Sequence, residues 1–253
     1  MQNDNQRTLG VLIIVAIVAL AISRVHITSD DIIFLVLLTP TVVCHEVAHG
    51  AVAYLFGDDT AKNAGRLTLN PIKHIDLFGT ILLPALFLVS GLPPFGYAKP
   101  VPVSLNKLRD PRTHGLLVGL AGPLTNFVLT TFSVAIIALL WQFGIRFHQG
   151  VDLLDVVLFF GALNIFIGVF NLLPVPPLDG SSILEFFLPN SMRRAYYSFR
   201  RYAIFILLFL ILAGNNALGN VLVTIERPFV NQYVRAVACV TDGCGSHSED
   251  ALR

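Results

Sequence analysis

Ile32-Ile33-Phe34-Leu35-Val36-Leu37-Leu38-Thr39-Pro40-Thr41-Val42-Val43-Cys44-His45-Glu46-Val47-Ala48-His49-Gly50-Ala51-Val52-Ala53-Tyr54-Leu55-Phe56 is an apolar run broken by His45, Glu46 and His49. It exceeds the roughly 20 residues that a helix needs to cross a bilayer. On a helix, positions i and i+4 share a face, so His45 and His49 present two imidazoles to one point. That is the spacing by which H-E-x-x-H supplies two ligands to a zinc ion. Glu46 is placed to act as a general base on a water at that point. Ionisable groups at membrane depth are costly and point to function. The competing reading is a polar patch between packed helices.

Working outward, the whole chain has the same character. Of 253 residues, 55% are hydrophobic and only 13% charged, about half the charge of a soluble domain. Further runs suited to crossing a bilayer are Leu9 to Ser23, Gly115 to Phe143, Leu153 to Leu173 and Tyr202 to Thr224. They lack the alternation of a membrane β-barrel. The expected fold class is all-α, a polytopic transmembrane helical bundle of five or six spans. Leu77 to Leu92 is a re-entrant or kinked segment, because Pro84 sits in its middle and Gly91, Pro93 and Pro94 break its end. Phe95 to Val103 alternates prolines and reads as a short β-like loop. The organisation expected is an N-terminal transmembrane helix over 1–29, a membrane core over 30–190, a C-terminal transmembrane helix over 191–230 and a polar tail over 231–253.

The net charge of +1 gives nothing for nucleic acid to bind. The cysteines, Cys44, Cys239 and Cys244, have no zinc-ligand spacing, so a metal must use histidine and carboxylate. Charge also bears on topology. If 77–92 re-enters, twelve of the seventeen Lys and Arg fall on one side of the membrane, the positive-inside pattern. His45, His49 and Asp179 then approach the same face, nearer the cytoplasm, and Cys239 and Cys244 lie outside, where a disulfide is possible. If 77–92 spans, the bias vanishes.

A catalytic zinc takes three protein ligands and keeps one open position. Asp179 stands out for the third, inside apolar sequence just after Pro174, Pro176 and Pro177. Broken helices at membrane depth are tolerated where backbone lines a cavity. The alternative is that Asp179 N-caps a helix from Ser181 to Leu188.

Three stretches together resemble the site-2 protease-type intramembrane zinc metalloproteases, in their compact prokaryotic branch. They are the H-E-x-x-H, Gly122-Pro123-Leu124-Thr125-Asn126, and Asn171-Leu172-Leu173-Pro174-Val175-Pro176-Pro177-Leu178-Asp179-Gly180. Asn70 to Asp76 and Gly96 to Val103 add to the likeness, which covers roughly residues 30–190. The resemblance implies one Zn²⁺ held by His45, His49 and Asp179, with Glu46 as catalytic base and Asn171 stabilising the oxyanion. It also implies hydrolysis of peptide bonds in or near transmembrane segments of substrate proteins, in regulated proteolysis. Its partners would be such a substrate and the lipid bilayer of a prokaryotic cell membrane. Two other functions fit the same architecture: a non-proteolytic membrane scaffold, favoured by a missing ligand or base, and a metal transporter, favoured by ionisable residues along several helices.

Remaining polar residues take smaller roles. His74 and Asp76 are structural or line a cleft, and Asn126 bonds between helices. Trp141, Tyr196, Tyr197 and Tyr202 suit the interfacial belt, and Arg193, Arg194, Arg200 and Arg201 suit anionic headgroups.

Overall fold

A computed structural model describes residues 28–82, 84, 87, 98–147, 152–189, 217–242 and, between 191 and 203, residues 191–192, 195–196, 198–199 and 202–203. The span at Leu9 to Ser23, most of the segment 77–97, the four arginines from Arg193 to Arg201, Tyr197, most of the span Tyr202 to Thr224, and Cys244 lie outside these residues. Six α-helices are described: α1 (Ser29–Leu55), α2 (Thr60–Asn63), α3 (Thr113–Gln142), α4 (Leu153–Asn171), α5 (Ser181–Phe187) and α6 (Ala217–Asp242). Short 3-10 turns occupy Pro71–His74 and Leu105–Lys107, and a π turn occupies Leu77–Leu82. Among the described residues there is no strand. Helices α1, α3 and α4 are long and apolar enough to cross a membrane.

Local chemistry sets the helix ends. Thr28 and Asp31 form a reciprocal cap before α1: Asp31 N–H donates to Thr28 Oγ1, and Thr28 N–H to Asp31 Oδ2. At the other end Asp58 N–H reaches Ala53 O and Gly57 N–H reaches Tyr54 O. Gly57 takes φ 107°, so the turn is a Schellman stop that glycine makes easy. Asp152 and Asp155 form a capping box at the start of α4.

The chain divides into two compact units, residues 1–36 with 74–99 and residues 37–73 with 100–253. In the first, Lys99 N–H donates to His74 O, and Gly79 N–H donates to Asp76 Oδ1. His74 is buried there. In the second, α3 packs along α4, α6 lies against both, and α5 lies against α3. The core between α3, α4 and α6 is Ile137, Leu154, Ile165, Val169, Tyr233 and Val237. A smaller cluster of Ala53, Leu108 and Val118 joins the end of α1 to the start of α3. On α3, Leu117, Leu124, Val128, Phe132 and Ile136 are exposed, while Gly122, Asn126, Thr130, Ser133 and Ile137 are buried. That division gives the helix one lipid-like stripe and one packed face.

Two stretches differ from the sequence reading. Among the described residues, the run from Ala98 to Ser104 pairs with no strand, and the N–H groups of Val101 and Ser104 go to side chains. The stretch read as a polar tail is helical to Asp242. Val230, Tyr233 and Val237 repeat at helical spacing and pack into the core. Glu226 and Arg227 before them, with Asn231, Gln232 and Arg235 between, lower the hydropathy and hide that face. Within α6, the Tyr233 hydroxyl lies 3.0 Å from Ser133 Oγ and donates to Leu158 O at 3.1 Å. Cys44 is a free thiol, whereas Cys239 is disulfide-bonded.

Candidate metal centre

One turn of α1 carries both histidines, with ring centroids 4.8 Å apart and planes nearly perpendicular. Both Nε2 atoms face one carboxylate oxygen. Asp179 Oδ2 stands 2.9 Å from His45 Nε2 and 3.3 Å from His49 Nε2. The candidate donor atoms of the three residues all lie within 4.8 Å of one another. Ligands at roughly 2.0–2.1 Å from a tetrahedral zinc stand about 3.3 Å apart, so this triangle fits such an ion.

The loop that brings Asp179 in is short and tightly folded. Gly180 N–H donates to Asn171 O at 2.6 Å, closing the stretch between α4 and α5. A Cβ on Gly180 would meet Leu172 O at 2.2 Å, so only glycine fits. The loop contains the cis peptide Pro176–Pro177. Gly180 occupies the N-cap position of α5, and no side chain caps that helix. The Asp179 side chain thus turns to the histidines, not to the helix end.

The far side of each imidazole is held. His49 Nδ1 donates to Val118 O at 2.6 Å, and His45 Nδ1 lies 2.5 Å from Asn126 Oδ1. Both rings are buried. Such outer contacts fix ring orientation and tautomer in histidine metal sites. Space is kept by Gly122: a Cβ there would lie 2.4 Å from His49 Nε2 and 2.5 Å from His45 Nε2. A donor triangle with its outer nitrogens tied back and a glycine facing it is suited to an ion with one open position.

Glu46 Oε2 accepts the Val101 N–H at 2.8 Å. The segment carrying that donor is anchored at several points. Arg66 reaches Pro100 O at 3.4 Å, and Ser104 N–H donates to Asp58 Oδ2 at 2.6 Å. The Val101 side chain packs so closely on Gly50 that a Cβ there would meet Val101 Cγ1 at 2.7 Å. Asp58 also accepts from the Thr60 N–H and hydroxyl. Burial raises the Asp58 carboxyl pKa, but the bonds from Thr60 and Ser104 outweigh it and hold the group below its ordinary value.

The structure therefore brings His45, His49 and Asp179 together. It places Glu46 under Val101 and Asn171 at the end of α4, where its Nδ2 donates to Ile167 O at 3.0 Å. Asn126 bonds to another helix as expected, donating to Asn164 Oδ1 at 3.1 Å, but it also faces His45. Sequence reasoning missed Val118 O, the Val101 N–H and the place of Gly122 beside the imidazoles. Backbone groups leave no sequence signal, and Gly122 was visible only as part of a motif.

Residues 148–214 match the family described as Peptidase family M50. The chain is 42% identical over 187 residues to the Bacillus subtilis protein named "Putative zinc metalloprotease YwhC", a match covering 70% of this chain and 80% of that protein. It is 31% identical over 170 residues to "Putative zinc metalloprotease Rip2" of Mycolicibacterium smegmatis, covering 66% of this chain and 62% of that one. The protein of the same name from Mycobacterium tuberculosis is 32% identical over 178 residues, covering 67% of this chain and 62% of its own length. No solved structure matches the chain.

Proposed function

We propose a reaction from one premise: the chain belongs to peptidase family M50, the site-2 protease family of zinc metalloproteases. The reaction is hydrolysis of peptide bonds in or beside transmembrane segments of substrate proteins, in regulated proteolysis. One observation carries it: His45, His49 and Asp179 converge on a single point, with both histidines on a helix fit to cross a membrane.

His45, His49 and Asp179 would hold the ion. Zinc, when bound, supplies Lewis acidity to the scissile carbonyl and lowers the pKa of a water towards ~7. Glu46 takes the proton from that water as it attacks, then delivers it to the leaving amine. Asn171 spends one amide N–H on Ile167 O; the amide carries a second donor, which we assign to the developing oxyanion. A helical substrate shields its own carbonyls, so it unwinds before cleavage. The segment from Pro100 to Ser104 acts as a plug and not as an added strand. Pro100 and Pro102 have no N–H, the Val101 N–H is on Glu46 and that of Ser104 is on Asp58. A substrate that reaches Glu46 displaces Val101. With 77–92 re-entrant, the Lys and Arg distribution puts the site nearer the cytoplasmic face of a prokaryotic cell membrane.

The test uses the full chain purified in detergent. Zinc content and cleavage of a model transmembrane peptide are measured for the wild type and Glu46→Gln. One zinc per chain in both, with cleavage by the wild type alone, is the expected result. Bound zinc with equal cleavage by both rejects the mechanism.

A further inference from the structure

Three fully buried side chains connect His45 to the middle of α4, and none of them carries charge. Asn126 Oδ1 lies 2.5 Å from His45 Nδ1. Asn126 Nδ2 donates to Asn164 Oδ1 at 3.1 Å. Asn164 Nδ2 donates to Thr41 Oγ1 at 3.1 Å and to Phe160 O at 2.8 Å. Thr41 in turn donates its hydroxyl proton to Leu37 O at 2.9 Å. Asn126, Asn164 and Thr41 are each 0% exposed.

The order of donors along this chain is dictated from its far end. A backbone carbonyl can only accept. Phe160 O therefore requires the NH₂ of Asn164 on its side, and Leu37 O takes the Thr41 proton, leaving Thr41 Oγ1 to accept. With its NH₂ so committed, Asn164 turns its oxygen to Asn126. Asn126 must answer with its own NH₂, which turns its oxygen to His45. His45 must then donate from Nδ1, which leaves Nε2, 2.9 Å from Asp179 Oδ2, as the nitrogen for an ion; in the metal-free chain that nitrogen can carry a second proton for the carboxylate. If Asn126 were flipped, its NH₂ would face Nδ1 and the proton would move to Nε2. A neutral ring whose one proton is on Nε2 cannot ligate through that nitrogen. His49 needs no such relay, because its Nδ1 meets Val118 O directly.

We infer that Asn164, supported by Thr41, is a positioning residue that sets the tautomer of His45 through Asn126. The inference rests on the reading of His45 as a zinc ligand, although the relay itself operates in the metal-free chain.

The experiment has two measurements on the full chain in detergent. Nitrogen NMR of the metal-free protein labelled on histidine reads which ring nitrogen of His45 is protonated. Chelator competition reads zinc affinity. The wild type is expected to hold the proton on Nδ1. Asn164→Leu should give mixed tautomers and roughly 10- to 100-fold weaker zinc binding, the range for loss of an outer contact. Asn164→Asp, as the neutral acid, keeps an acceptor for Asn126 and a donor for Phe160 O, so it should restore both readouts. Should the leucine variant not fold, Asn164→Ala takes its place with the same two outcomes. A residue that only packs helices would lower the unfolding midpoint and leave tautomer and affinity unchanged. A wild type with no proton on Nδ1 of His45, or an Asn164→Leu chain with the wild-type protonation pattern and affinity, overturns the inference. A wild type with the proton on Nδ1 that binds no zinc overturns the proposed function instead, and leaves the relay standing.

Discussion

Gly122→Ala adds a single methyl group, and its place is fixed by the backbone of α3. The new carbon would lie 2.4 Å from His49 Nε2 and 2.5 Å from His45 Nε2, whereas ordinary contact begins at 3.4 Å. Each ring must retreat by about 1 Å to relieve the clash, against a tolerance of about 0.2 Å in ligand distances. Neither ring has room to do so. Asn126 and Val118 O stand 2.5 and 2.6 Å behind the two Nδ1 atoms. The methyl also intrudes on the side where the ion would sit. Zinc affinity should fall by more than roughly 100-fold, about 2.8 kcal/mol, and cleavage should fall with it. Chelator competition measures the first, and a model membrane peptide the second. Gly115→Ala, in the first turn of the same helix, is the control, since its methyl meets only the end of Leu105 at 3.3 Å. A folded Gly122→Ala chain with zinc affinity within about threefold of the wild type would refute the geometry argued here.

Two further outcomes follow from contacts away from the ion. The Asp58 carboxyl has its pKa held below the ordinary 3.8. Its anchoring of Ser104 is therefore fully present above that value and lost as pH falls through the lower folded one. Hydrogen exchange at the Ser104 amide should stay protected from neutral pH to about 4 and then open, and Asp58→Ala should open it at neutral pH, at a cost of roughly 1.5–3 kcal/mol. Protection unmoved by acid or by the variant would remove Asp58 as the anchor. Tyr233→Phe deletes the hydroxyl that meets Ser133 and Leu158 O, so it should cost about 1 kcal/mol in unfolding with zinc affinity unchanged. Weaker zinc binding in that variant would mean that α6 supports the metal centre.

Apolar spans are legible because lipid imposes one rule on every residue that faces it. That rule placed α1, α3 and α4 within a few residues, and the same arithmetic of helical spacing put His45 and His49 on one face. Asp179 was legible for a different reason. A carboxylate among Pro174, Pro176, Pro177 and Gly180 is costly unless something pairs with it. Helix α6 was not legible, because its core-facing Val230, Tyr233 and Val237 are interspersed with Glu226, Arg227 and Arg235. Nor was the bond between Glu46 and Val101, since a backbone donor has no letter of its own. Asn164 lies between these cases. It is an amide in the middle of an apolar run, a position that calls for a partner, but the identity of that partner depends on how three helices meet.

The placement of charge and of amides in the described helices bears on the choice between protease and metal transporter. An ion path across the membrane needs ionisable groups at successive depths on several helices. Within the described chain, α3 has none after His114, and α4 has none beyond Asp155 in its first turn. The buried polar groups of these two helices are Asn126, Thr130, Ser133 and Asn164, all neutral. Their bonds run to His45, to each other, to Thr41, to the Tyr233 hydroxyl and to backbone carbonyls. Neutral amides and hydroxyls tied in this way hold a ligand in register, with their hydrogen-bonding capacity largely committed to one another and to the backbone. Among the described residues, the one group of three such side chains that could hold an ion is His45, His49 and Asp179, the arrangement that the proposed hydrolysis uses.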